Sequence, residues 1–112
     1  MADNKDVIHD KIYKFIDTLA KHVTVDKVIL YGSWANGKPT ELSDIDLAIF
    51  SPDFGKHRLK ELQLLSKLAW EVDDAIEAVP YSIEQLKILD PTKLVYKIIH
   101  TGETVYDRAL TH

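Results

Sequence analysis

Near the start of the chain apolar residues recur at helical spacing, at Ile8, Ile12, Phe15, Ile16, Leu19 and Val23. They predict an amphipathic helix capped by Asp3 or Asn4. The period then changes. Val25 to Tyr31 is rich in β-branched and aromatic residues and stops at Gly32, which reads as a strand ended by a tight turn. Ile45 to Phe50 reads as a second strand, closed by Ser51-Pro52-Asp53. Along it Ile45, Leu47 and Ile49 share one face, while Asp44, Asp46, Ala48 and Phe50 share the other. A second helix is expected from about Lys56 to Asp73, burying Leu59, Leu62, Leu65, Leu68, Ala69 and Val72. Ser82-Ile83-Glu84-Gln85 has the capping-box pattern and should open a short helical turn. Asp90-Pro91 should start a last helix that runs to His100 and is stopped by Gly102. Strands alternating with helices predict an α/β (α+β) fold, a small mixed β-sheet packed with helices.

Composition narrows the class. With 112 residues, 46% of them hydrophobic, the chain reads as one domain, residues 1–112, with a modest single core. It shows no internal repeat, low-complexity stretch or linker. Cysteine is absent, which excludes a disulfide framework and a thiolate metal site. No apolar run approaches the roughly 20 residues of a membrane span, and Met1 to Asp6 lacks a signal-peptide layout. A cytoplasmic protein with no membrane partner is expected. The formal net charge of −4 and the lack of a Lys/Arg block argue against processive work on long nucleic acid, which needs an electropositive track.

The most specific chemistry lies in Gly32-Ser33-Trp34-Ala35-Asn36-Gly37-Lys38-Pro39-Thr40-Glu41-Leu42-Ser43-Asp44-Ile45-Asp46. This is a Gly-Ser pair, a spacer, and then Asp-x-Asp. At average residue usage such a pattern arises by chance about once per thousand chains of this length. A glycine-rich turn presents backbone N–H groups to phosphate oxygens. Two aspartates one residue apart on a strand point to the same side, where they can share a divalent cation or bridge two. The candidate ligand is a nucleoside triphosphate with Mg²⁺.

These residues resemble the signature of the DNA polymerase β-like nucleotidyltransferases, and most of all their minimal (MNT) members, often paired with a helical HEPN partner. The order of elements follows that family through nearly the whole chain, and Ile99 to Asp107 resembles its closing turn and strand. The resemblance implies a nucleotidyltransferase-like core with a third carboxylate on a later strand, here Glu77 in Ala75-Ile76-Glu77-Ala78-Val79-Pro80-Tyr81. Many relatives carry Asp there. It further implies that Gly32 and Ser33 bind the β- and γ-phosphates of ATP, with Lys38 the nearest cation. Asp44, Asp46 and Glu77 are the implied catalytic residues and ligands of two Mg²⁺ ions, and Glu77 is placed to accept the proton of the attacking hydroxyl. The implied reaction transfers AMP to a hydroxyl of a partner protein, a small helical HEPN-type chain encoded nearby, in a toxin–antitoxin module. Two other readings stand beside it: a small-molecule transferase of the antibiotic-modifying kind, and a catalytically weak nucleotide-binding subunit. The last is favoured by Glu77 and by Trp34 and Asn36, where relatives frequently place Arg.

Plainer explanations exist for single residues. Gly32 alone is explained by ending a strand, Ser33 by capping a short helix, and Asp44 by a turn or cap. Asp46 resists this, because an unpaired carboxylate inside an apolar strand is costly. His9, His22, His57, His100 and His112 lack metal-ligand spacing and read as surface residues. Trp34 and Trp70 read as packing residues. Trp34, Phe54 and Tyr81 are also the expected apolar rim of an open cleft, and for each of them a place in the core is an equal alternative. No nucleophilic triad and no Walker-type Gly-x-x-x-x-Gly-Lys-Ser/Thr is present.

Overall fold

The computed structural model describes residues 4–35, 37 and 44–110. Lys38, the expected cap at Asp3 or Asn4, and His112 lie outside the described side chains. The element order is α1 (Asn4–Leu19), β1 (Lys27–Tyr31), β2 (Ile45–Ser51), α2 (Arg58–Val72), β3 (Ile76–Ser82), α3 (Leu94–Thr101) and β4 (Glu103–Asp107), with short 3₁₀ turns at Gly32–Trp34, Ile83–Lys87 and Arg108–Leu110. The four strands form one mixed sheet in the order β3-β2-β1-β4. β1 runs antiparallel to both β2 and β4, whereas β2 and β3 are parallel. This is the expected α/β layer. No helix among the described residues is long and apolar enough to cross a membrane.

The alternation along β2 splits the core in two. Ile45, Leu47 and Ile49 join Val28 and Leu30 of β1 against α1 and α2, whose Ile12, Phe15, Leu19, Leu65 and Leu68 are buried there. On the opposite face Ile29, Ala48 and Phe50 pack against Val95 and Ile98 of α3, with Tyr31 and Tyr81 half-buried beside them. Phe50 and Tyr81 stack with ring centroids 5.3 Å apart. Burying each large side chain fully contributes about 1.5–3 kcal/mol. The face under α1 and α2 holds more of them, so it carries most of the stabilisation.

Several expectations change at element ends. The first strand starts at Lys27, two residues late, although Val25 is buried ahead of it. α2 starts at Arg58, so Leu59 falls in its first turn, where no facing layer covers it, and it is exposed. Trp70 is 71% exposed and is not a packing residue. Trp34 and Phe54 are buried, so neither forms an apolar rim. The segment after Ser82 does turn, as a 3₁₀ turn, but Ser82 makes no side-chain cap bond. Asp90 accepts bonds from the Thr92 N–H and hydroxyl instead of capping α3, which begins only at Leu94. Gly102 does end α3, through an N–H···O bond to Ile98 at 2.8 Å. Its φ is an ordinary −79°, so it is there for space. A Cβ would meet Ile29 Cγ2 at 2.5 Å and the carbonyl oxygens of Ile98 and Leu30 at 2.6 and 2.9 Å.

Candidate functional site

The strand ends bring the candidate residues together. β1 ends at Tyr31, which registers opposite Asp46 of β2. Asp46 in turn registers opposite Glu77 of β3. Side chains alternate, so Asp46 lies on the face of Ala48 and Phe50, and Glu77 on the face of Val79 and Tyr81. The Phe50–Tyr81 stack shows that these two faces are the same one. Tyr31, Asp46 and Glu77 therefore form a row across three strands at one end of the sheet, on the side that carries α3.

The turn after β1 is built against this row. Gly32 has φ +74°, a left-handed conformation that disfavours any residue with a Cβ. A Cβ placed there would overlap the Asp46 Oδ2 oxygen. Only glycine lets the main chain pass this close to the carboxylate. The chain then enters the 3₁₀ turn Gly32–Trp34, closed by the Ala35 N–H donating to the Gly32 carbonyl at 3.1 Å. Ser33 is exposed at the head of this turn and Trp34 is buried beneath it. The Trp34 Nε1 finds no hydrogen-bond partner among the described residues.

The electrostatics mark Asp46. Burial, then the charges of Glu77 and Asp44, and then a hydrogen bond with Glu77 push its carboxyl up to about 6 from an ordinary 3.8. Two carboxylates can share a hydrogen bond only if one holds a proton, and a cation between them would serve in its place. The Tyr31 phenol is pushed up to about 12, first by burial and then by the charges of Asp46, Tyr81 and Glu77. This end of the sheet is electronegative. Its donors are carboxylate oxygens, the set that hard divalent cations such as Mg²⁺ take. The residues present fit such an ion.

The three predicted carboxylates are not equally placed. Asp46 and Glu77 meet. Asp44 stands exposed one residue before β2 and acts on Asp46 through its charge. Among the described residues no three His, Asp or Glu side chains are drawn into a ready-made ligand cluster. In the sequence Tyr31 reads only as the last aromatic residue of a strand. Its position directly before the Gly-Ser turn was the available signal. Of the histidines, His9 is half-buried rather than on the surface and bonds Glu103 at 2.9 Å.

No curated protein matches the chain in sequence. Solved structures resemble it in fold, among them the following two. One, a toxin–antitoxin with AMP-PNP, has a TM-score of 0.58 and 22% identity, covering 88% of this chain and 73% of that one. The other is a mutant of the toxin–antitoxin MntA–HpeT in which two aspartates, two positions apart, are changed to glutamate. It has a TM-score of 0.51 and 21% identity, with the same coverage of 88% and 73%. At these identities the likeness is one of fold. The sequence itself is more specific, for residues 13–110 match the family described as "Polymerase beta, Nucleotidyltransferase", and the chain belongs to that family.

Proposed function

We propose that this chain, as a single domain of minimal type, transfers AMP from ATP to a hydroxyl of a partner protein, as the antitoxin-type subunit of a cytoplasmic two-protein module. The observation that carries the reading is the row Tyr31–Asp46–Glu77 with Gly32 lying against it. Membership of the nucleotidyltransferase family supports the reaction class. The two structural neighbours support the module and the nucleotide, being toxin–antitoxin structures, one of them with AMP-PNP. The substituted aspartates of the MntA–HpeT mutant have the spacing of Asp44 and Asp46. The partner expected is a small helical HEPN-type protein.

Asp44, Asp46 and Glu77 would hold the metal. Bound Mg²⁺ supplies positive charge that neutralises the triphosphate and lowers the cost of ionising the attacking hydroxyl. The N–H groups of the Gly32–Ser33 turn and the Ser33 hydroxyl hold the β- and γ-phosphates, and Lys38, six residues after Gly32 in sequence, is the cation proposed to assist them. Glu77, exposed at the mouth of the site, accepts the proton of the acceptor hydroxyl. That oxygen bonds to the α-phosphorus, the bond to the oxygen bridging toward the β-phosphate breaks, and pyrophosphate leaves. The protein's share is placement and charge, with no covalent intermediate.

Incubating the purified chain with α-³²P-ATP, Mg²⁺ and the product of the neighbouring gene tests this. Label should appear on the partner and vanish with Asp46→Asn. Label on small alcohols in the absence of any partner replaces this reading with the small-molecule transferase. Nucleotide binding with no label anywhere replaces it with a binding subunit.

A further inference from the structure

We propose that the open half of the outer edge of β3, beside Trp70, binds an extended basic segment of the acceptor protein as a fifth strand, which brings the acceptor hydroxyl to Glu77. The inference rests on the reading of Glu77 as part of the transfer site. β3 is outermost in the sheet. The Ala75 carbonyl accepts from the Ile45 N–H at 2.8 Å, toward β2. By alternation the main-chain groups of Ile76, Ala78, Pro80 and Ser82 therefore face outward. The far half of this edge is closed: Pro80 has no N–H, and its carbonyl accepts from Arg58 Nη1 at 3.0 Å. The Ile76 N–H is also engaged, donating to the Asp73 carbonyl. At the Glu77 end of the edge, the Ile76 carbonyl and both main-chain groups of Ala78 remain open among the described residues.

Those open groups line a groove of about 420 Å³, whose other walls are Ser66, Trp70, Asp74, Glu77 and Val79. An indole 71% exposed at such a place is a ready anchor. The charged residues lining the groove are Asp74 and Glu77, both acidic, and no Lys, Arg or His lines it among the described residues. A second copy of this chain would bring the same acids face to face across a two-fold contact, and like charges oppose it. A segment carrying Lys or Arg is attracted instead, and its cation can lie over the Trp70 ring. The opposite edge offers no equivalent, since the Glu103 carboxylate pairs with His9 and that of Asp107 with Lys27. Strands pair about 4.7–4.9 Å apart. A Ser or Thr opposite Glu77 on a fifth strand therefore shares its face and places its hydroxyl beside the carboxylate.

The test uses the full chain and a blocked octapeptide, Lys-Val-Lys-Ser-Lys-Val-Lys-Val, followed by amide NMR. Saturable shifts centred on the Ala78 amide and the Trp70 indole are expected. Affinity should fall at least tenfold when the peptide lysines become Glu, when alternate peptide amides are N-methylated, and in Trp70→Ala. Ala78→Pro removes the open N–H and should act alike. Because that variant also stresses the strand, Trp70→Ala and the N-methylated peptide decide the matter if it fails to fold. Absence of saturable binding, shifts centred elsewhere, or equal affinity for the acidic or N-methylated peptide overturns the proposal. Binding of Mg²⁺ and AMP-PNP is measured in parallel. If it persists without peptide binding, only this inference fails; if it is absent while the peptide binds at Ala78, the nucleotidyltransferase reading fails instead.

Discussion

A carboxylate taken out of water is costly unless its charge is compensated, and Asp46 in β2 and Glu61 in α2 meet opposite surroundings. The buried Glu61 carboxylate accepts four main-chain hydrogen bonds, two from the Gly55 N–H and one each from Lys56 and His57, at 3.0–3.2 Å. Burial alone would raise its pKa, but these donors outweigh it and hold the group below its ordinary 4.5. The stabilisation is therefore full above the unfolded value and lost as pH falls through the folded one. Glu61→Gln should cost about 1–3 kcal/mol at pH 7, and urea midpoints of variant and parent should converge in acid. A gap that is constant with pH would contradict this. Asp46 has the opposite sign, because its folded pKa is raised to about 6 from 3.8. Its ionisation opposes folding, with no cost below the unfolded value and the full cost above about pH 6. In metal-free buffer Asp46→Asn should melt at or above the parent at pH 8, with the gain gone at pH 4. A variant that melts well below the parent at pH 8 would make Asp46 a structural residue.

At the scale of elements, Gly102 decides how closely α3 approaches β1, and α3 covers the face that carries the acidic row. Gly102→Ala forces a Cβ against two carbonyl oxygens that cannot move independently of β1 and α3. The expected loss is about 1–3 kcal/mol, or roughly 4–8 °C in Tm per kcal/mol for a domain of this size. An unchanged thermal midpoint would show that the close approach is not maintained. The sequence pattern made much of this level readable. Alternation along Ile45 to Phe50 placed Asp46 on the face away from Ile45, Leu47 and Ile49, and the two core clusters separate along that line. Helical spacing identified the buried stripe of α1. It says nothing, however, about where the facing layer ends, and so Leu59, which has the spacing of the α2 stripe, is exposed. The capping pattern at Ser82 marks a real turn, a 3₁₀ one without a side-chain cap bond, whereas at Asp90 an Asx-type bond takes the place of a helix cap. The pairing of Asp46 with Glu77 depends on a parallel register between distant strands. No local pattern contains that register, and Glu77 was reached through family resemblance. The roles of Tyr31 and Glu61 come from what packs around them, which no local pattern carries.

Asp44, Asp46 and Glu77 gather at one end of the sheet, where three strand ends and a glycine turn converge, in a chain of formal net charge −4. A triphosphate would be repelled from that end unless a cation comes with it. Family membership supports nucleotidyl transfer as the reaction class, and the row Tyr31–Asp46–Glu77 is the site we propose for it. The most direct test is calorimetric titration of the purified chain with AMP-PNP, in Mg²⁺ and in EDTA, with Asp46→Asn alongside. Saturable binding in Mg²⁺ that is lost in EDTA, and lost in a folded Asp46→Asn variant, is the expected result. Equal affinity with and without the metal, or an Asp46→Asn variant that binds as the parent does, would contradict the account.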